Sequence, residues 1–268
     1  MNAYSERSIA LPGSTIFYYV AGSGTVPLVA FHGFGQTHKV FHSWVETLGE
    51  KFQLILVDVY FHGKSTWDNP DVPMEKSDWK ELMTILLARE GISTFSVAGF
   101  SLGGKFALAT FEAFPGQVRT LYLIAADGVR PSFWYTLATW PRPLRALFKS
   151  LISHEKRFTR LTKLARTLGL VDKYVLRFAE NQMDTPAKRA RVYNTWVVFR
   201  HLKFDMNHLL RMMEAYGTRV IVITGRYDRI IPPQRLEPVF KRLKNVTFHV
   251  LETGHNSLLP AAASVISE

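Results

Sequence analysis

The pentapeptide Gly99-Phe100-Ser101-Leu102-Gly103 sets a serine between two glycines. It directly follows the apolar run Phe95–Ala98 and precedes a helical pattern. In that setting G-x-S-x-G has a physical meaning: the chain turns sharply from strand to helix and leaves the hydroxyl exposed above the strand end. The start of the following helix favours negative charge developing there. A serine hydroxyl is a weak nucleophile at neutral pH and needs a base. Of nine histidines, His255 stands out, because Thr253-Gly254-His255-Asn256 opens a loop just past the last strand pattern. Asp228 follows the run Val220–Thr224, inside Gly225-Arg226-Tyr227-Asp228-Arg229-Ile230-Ile231-Pro232. Asp127, after Thr120–Ala125, is a second candidate for the acid. Parallel strands present their C-terminal ends on one side, so Ser101, an acid and His255 can converge, in the chain order serine, acid, histidine.

Acyl chemistry also needs N–H donors for a tetrahedral oxyanion. The amide of Leu102, next to the nucleophile, is one candidate. The amide of Phe34 is the other, in His32-Gly33-Phe34-Gly35-Gln36, where two glycines permit close backbone approach. The remaining histidines have plainer readings. His32 and His62 sit at turns and read as structural, and His38 and His42 as residues of a pocket entrance. His154, His201, His208 and His249 read as surface or packing residues. No pair has metal-ligand spacing such as H-E-x-x-H, and neither a metal nor a cofactor is expected.

These residues need a scaffold that brings distant segments to one edge. Strand patterns fall at Thr15–Val20, Leu28–His32, Gln53–Val57, Phe95–Gly99, Thr120–Ala125, Val220–Thr224 and Thr247–Leu251. Unbroken apolar runs such as Val220-Ile221-Val222-Ile223 suit strands buried on both faces. Trp79, Leu82, Met83 and Leu86 recur at helical spacing before Gly91, and a helix from about Ser101 to Phe114 ends at Pro115-Gly116. Alternating strands and helices predict an α/β fold with a mostly parallel, eight-stranded sheet covered by helices on both faces.

The middle of the chain is different. From about Pro131 to Gly217 only helical patterns occur, with Leu144, Leu147, Phe148, Leu151 and Ile152 as an apolar stripe. Arg145, Lys149, Lys156, Arg160 and Lys163 repeat on another face. Between Arg130 and Asp205 there are sixteen Lys or Arg against five Asp or Glu; elsewhere there are seventeen of each sign. The whole net charge of +11 therefore sits in this segment. A neutral body with a basic insert reads as residues 1–129 and 217–268 forming the core, with 130–216 a helical cap. The basic face is either solvated or suited to an anionic substrate, an acidic carrier or an anionic membrane surface. No nucleic-acid motif accompanies it.

Cysteine is absent, which excludes disulfides, thiolate metal sites and a cysteine nucleophile. No apolar run reaches the roughly 18 residues that a membrane span needs, and Met1–Gly13 lacks the pattern of a secretory signal. A cytoplasmic location is the default expectation.

Taken together, His32-Gly33-Phe34-Gly35, Asp58 with His62-Gly63-Lys64-Ser65, Gly99–Gly104, Gly225–Pro232 and Gly254-His255 resemble the α/β-hydrolase fold family, in its capped, esterase-like group. The resemblance covers nearly the whole chain. It implies a serine hydrolase with its cap inserted after the sixth strand, and it favours Asp228 over Asp127 as the acid. The serine argues against the branches that use aspartate at that position. Two features depart from the family: Asp58-Val59-Tyr60-Phe61-His62-Gly63 lacks the usual proline and glycine in its middle, and the C-terminal helix after His255 is short. The expected catalytic residues are Ser101, Asp228 and His255, with Phe34 and Leu102 amides as oxyanion donors and Phe100, Trp134 and Trp140 as pocket residues. The expected substrate is a small-molecule ester or thioester, anionic or carrier-bound in some cases. Two alternatives stay open: hydrolysis of a C–C bond by the same residues, and a ligand receptor on the hydrolase scaffold.

Overall fold

The computed structural model describes residues 4–130, 133–154, 157, 159–160, 163, 167, 177 and 180–268, with side chains from residue 135 onward in the segment after 132. They fall into two compact units. The first comprises residues 1–68, 75–130 and 202–268, and the second residues 69–74 and 131–201.

The first unit is built on one nine-stranded sheet. Its strands are β1 (Ser5–Leu11), β2 (Ser14–Ala21), β3 (Val26–Phe31), β4 (Phe52–Asp58), β5 (Thr66–Trp67), β6 (Phe95–Phe100), β7 (Val118–Ile124), β8 (Arg219–Gly225) and β9 (Val246–Leu251). Eight of them run in the order β1-β2-β4-β3-β6-β7-β8-β9, and the two-residue β5 pairs only with β2. From β4 through β9 every pairing is parallel; β1, β2 and β5 pair antiparallel. The first hairpin strand lies outside the seven sequence patterns because its residues are mostly exposed at a sheet edge.

The central strands are the apolar runs expected of a sheet covered on both faces. All six residues of β6 are buried, as are the last four of β3 and β7 and the last six of β8. Helix α2 (Lys76–Arg89) buries Trp79, Leu82, Met83 and Leu86, the residues whose spacing marked it. Trp79 meets Phe106 of α3 (Gly103–Ala113) edge-on at 4.8 Å, and its indole N–H donates to Thr110 at 3.0 Å. Helix α1 (His42–Leu48) is pinned to the C-terminal helix His255–Ser267 by Trp44, whose Nε1–H donates to the Leu259 carbonyl at 2.8 Å. That last helix runs thirteen residues, with Pro260 tolerated inside it.

Register decides the site. Phe31 pairs with Gly99, Phe100 with Ile124, Ile124 with Ile223 and Gly225 with Leu251. Five neighbouring parallel strands thus release their chains near one level of the sheet.

In the second unit residues 69–74 are turn and coil, and the rest is mainly helical where it is described. Pro141 precedes the helix Arg142–Ser153, and Thr185 caps Pro186–Val198 by accepting from the Lys188 amide. Phe148 packs against Trp196 and Tyr193 at 5.4 and 5.7 Å. Leu147 of the expected apolar stripe is exposed, whereas Ile152 is buried. The helix Met206–Ala215 groups with the sheet unit rather than with the insert, because Gly217 and Thr218 at its end lead directly into β8.

Candidate active site

Strand β6 ends at Phe100 and α3 begins at Gly103, so Ser101 must reverse the chain in a single step. It does so in the left-handed region, at φ 51°. For a residue with a Cβ this conformation costs roughly 1–3 kcal/mol and persists only where the surroundings enforce it. They do so here through both peptide groups. The Ser101 amide donates to the Ile124 carbonyl at 3.0 Å, and its carbonyl accepts from the Asp127 and Gly104 amides at 2.8 and 2.9 Å.

The flanking glycines are required for space. A Cβ on Gly99 would lie 2.4 Å from the Gly103 carbonyl oxygen, and one on Gly103 would lie 2.1 Å from that of Phe31. Both obstacles are backbone, which cannot step aside without moving the sheet.

His255, the first residue of its helix, reaches both other members of the expected set. Its Nε2 is 3.1 Å from Ser101 Oγ and its Nδ1 is 2.6 Å from Asp228 Oδ2. Asp228 is 2% exposed, so its carboxylate needs donors, and it has them. Its other oxygen accepts from the Ile230 and Ile231 amides at 2.8 and 2.9 Å. With a carboxylate held against Nδ1, that nitrogen carries the proton and Nε2 is left to accept from the serine hydroxyl. The two loops are braced together by backbone bonds from Arg226 to Leu251 and from Tyr227 to Thr253, at 2.8 and 3.1 Å.

The Leu102 amide lies at the start of α3, where the first N–H groups of a helix have no carbonyl four residues earlier. It has no acceptor among the described residues. Phe34 sits in the turn after β3, half-buried, with its ring edge-on to His62 at 5.4 Å. Phe100 is buried beneath the site, its ring 5.0 Å from the His255 ring. That places its ring against the imidazole. Trp140 belongs to the second unit, is 45% exposed and stacks on His201 at 5.4 Å. The Trp134 side chain and Lys156 lie outside the described residues. Asp127 does not approach His255; its Oδ2 is 3.3 Å from Lys105 Nζ, and its Oδ1 accepts from the Gly128 amide at 2.8 Å.

Among the other histidines, His38 departs from its expected place at a pocket entrance. It is buried, stacks on Tyr19 at 3.4 Å and lies 3.1 Å from Asp58 Oδ2. Burial and the hydrogen bond to Glu6 push the Tyr19 hydroxyl up from its ordinary value. Sequence reasoning missed the Ile230 and Ile231 amides as partners of Asp228. The signal was available: an aspartate whose carboxylate caps the amides two and three residues onward is an Asx turn. Among the described residues, no group of three His, Asp or Glu side chains is placed to hold a metal ion, and no helix is long and apolar enough to cross a membrane.

Residues 26–262 match the sequence model of a family described as alpha/beta hydrolase fold. An uncharacterized protein of Mycobacterium tuberculosis is 31% identical over 112 residues, 42% of this chain and 32% of that one; the chain thus spans about a third of that relative's length. A pimeloyl-[acyl-carrier protein] methyl ester esterase of Nitrosomonas europaea is 32% identical over 230 residues, covering 80% of this chain and 82% of that one. Among solved structures, a thermophilic esterase from Thermogutta terrifontis aligns with a TM-score of 0.70 at 17% identity, over 98% of this chain and 95% of that one. At that identity the likeness is one of fold.

Proposed function

This chain belongs to the alpha/beta hydrolase fold family, and from that premise we propose that it is a serine esterase working through an acyl-enzyme. Ser101 attacks the ester carbonyl while His255 Nε2 takes the hydroxyl proton. Asp228 keeps the imidazole in the required tautomer and stabilises the imidazolium. The Leu102 and Phe34 amides hold the oxyanion of the tetrahedral intermediate. Its collapse expels the alcohol, which leaves with the proton returned by His255. Water, activated by the same imidazole, then attacks the acyl-serine and frees the carboxylic acid and Ser101. The observation that carries this reading is the His255 ring bridging Ser101 at 3.1 Å and Asp228 at 2.6 Å.

The substrate we infer is an ester whose acyl chain is borne on a carrier, by likeness to the Nitrosomonas esterase. The excess positive charge of residues 130–216, read as an inserted helical cap, suits an acidic carrier. A panel of p-nitrophenyl esters of rising chain length, with a fluorophosphonate probe, tests the chemistry. Turnover and stoichiometric labelling should both vanish in Ser101→Ala, with the thermal transition retained. Labelling that persists at another serine overturns the assignment. Added salt tests the carrier: kcat/KM for a carrier-bound ester should fall, and that for a neutral short ester should stay flat.

A further inference from the structure

The oxyanion loop and the loop after β4 hold each other through two buried histidines. On the first loop, His32 Nδ1–H donates to the Gly33 carbonyl at 2.8 Å while its Nε2 accepts from the Val59 amide at 3.2 Å. On the second, His62 Nδ1–H donates to the Tyr60 carbonyl at 3.0 Å while its Nε2 accepts from the Gly35 amide at 2.9 Å. Each ring thus reads a backbone N–H of the opposite loop. Both side chains are buried, at 0% and 1% exposure, and the two rings meet edge-on at 5.1 Å. Asp58 adds a third tie, its Oδ1 accepting from the His38 amide at 2.5 Å.

The second loop is itself closed. Bonds from His62 to Val59, from Ser65 to His62 and from Phe61 to Ser65 span 3.0 to 3.1 Å, and Ser65 Oγ–H donates to the Asp58 carbonyl at 2.6 Å. Phe61 takes φ 68° inside it, a conformation a glycine would adopt without strain. Gly63 leaves room for the Asp58 carboxylate, since a Cβ there would lie 2.0 Å from Oδ2. His62 is therefore presented by a braced turn, with its acceptor nitrogen on the amide immediately after Phe34 and its ring edge-on to the Phe34 ring.

We propose that His62 is a positioning residue of the oxyanion site: by accepting from the Gly35 N–H it fixes the peptide that follows Phe34, and by packing on the Phe34 ring it holds that residue in place, while the preceding peptide, whose Phe34 N–H meets the developing oxyanion, has its Gly33 carbonyl held by His32 Nδ1–H and the Gln36 amide. His62 touches neither Ser101 nor the substrate in this assignment; it acts through Phe34. The inference rests on Phe34 being an oxyanion donor, as proposed above. The chemistry demands such a device. A donor is effective only when it is aimed beforehand at the place where charge develops, and a displacement of about 1 Å can lower the rate about a hundredfold.

The test compares His62→Phe, which keeps a ring against Phe34 but loses the acceptor, with His62→Gln, which restores an acceptor oxygen. Active sites are counted by fluorophosphonate titration of Ser101. In His62→Phe, kcat should fall about ten- to a hundredfold with KM changed less than about threefold, and affinity for a trifluoromethyl ketone, whose adduct carries the oxyanion, should fall by the same factor. His62→Gln should recover most of both. Folded His62→Phe with unchanged kcat and unchanged ketone affinity overturns the proposal, even if its thermal transition drops. The imidazole nitrogen shifts of ¹⁵N-labelled wild-type protein give a second reading that needs no variant. They should show the Nδ1–H tautomer for His62, and an Nε2–H tautomer, which cannot accept from Gly35, overturns the proposal. Failure of the esterase reading is separate: the wild-type protein would then fail to label or turn over at Ser101.

Discussion

The loops that follow β7 and β8 start two residues apart in register at the same sheet edge, and each carries an aspartate within a few residues of its strand. They use it in opposite ways. Asp127 gives its amide to the Ser101 carbonyl and turns its carboxylate outward to Lys105, leaving the side chain 37% exposed. Asp228 buries its carboxylate, caps two amides of its own loop with one oxygen and holds His255 with the other. The β7 loop thus supports the strained serine through backbone, and the β8 loop supports the imidazole through a side chain. Position after a strand does not by itself bring an acid to the histidine. What sets Asp228 apart is a pair of local N–H donors that fixes its buried carboxylate against the His255 ring.

The sharpest way to break this contrast is to neutralise each acid. Asp228→Asn should lower kcat about 10⁴-fold, because the amide favours the wrong imidazole tautomer. Asp127→Asn should stay within about threefold of the wild-type rate. Steady-state kinetics on one chromogenic ester, normalised by active-site titration, reads both, and equal losses would erase the distinction.

Glycine substitutions sharpen the contrast at the next level. A Cβ on Gly225 would lie 2.4 Å from the Thr253 carbonyl, driving the acid loop from the histidine loop. Gly225→Ala should therefore reduce kcat/KM about ten- to a hundredfold. A Cβ on Gly104 would press on Ala126 at 2.5 Å and on the Asp127 carbonyl at 2.8 Å, on the other loop. Gly104→Ala should destabilise the fold by about 2 kcal/mol, read by denaturant melts, with a smaller kinetic effect than Gly225→Ala. The smallest change is expected from Lys105→Met. It removes an ion-pair partner from a carboxylate that water can reach, so it should cost about 1 kcal/mol or less and leave kcat within about threefold.

The local parts of this protein were legible in its sequence. Gly99–Gly103 between an apolar run and a helical pattern announces the strand-to-helix turn, and Val220–Thr224 announces a strand buried on both faces. Those signals are short-range: glycines needed for close approach, and side-chain periods set by the pleat or the helical turn. Edge strands escaped because a mostly exposed strand such as Ser5–Leu11 has no apolar alternation to betray it, and Thr66–Trp67 is too short to carry a pattern. The choice between Asp127 and Asp228 was open on residue type and spacing alone, and leaned to Asp228 only through the family resemblance.

The tertiary structure decided what depends on segments far apart in the chain. His38 looked like an entrance residue from its neighbours, yet Asp58, twenty positions away, holds it buried. His32 and His62 read as structural, but nothing within either turn tells that each accepts an amide of the other's loop. Hydrophobic pattern and turn chemistry are written in each segment and survive in isolation. The meeting of His255 with Ser101 across 154 positions, and of Gly35 with His62 across 27, exists only once parallel strands are in register and their loops leave the sheet together.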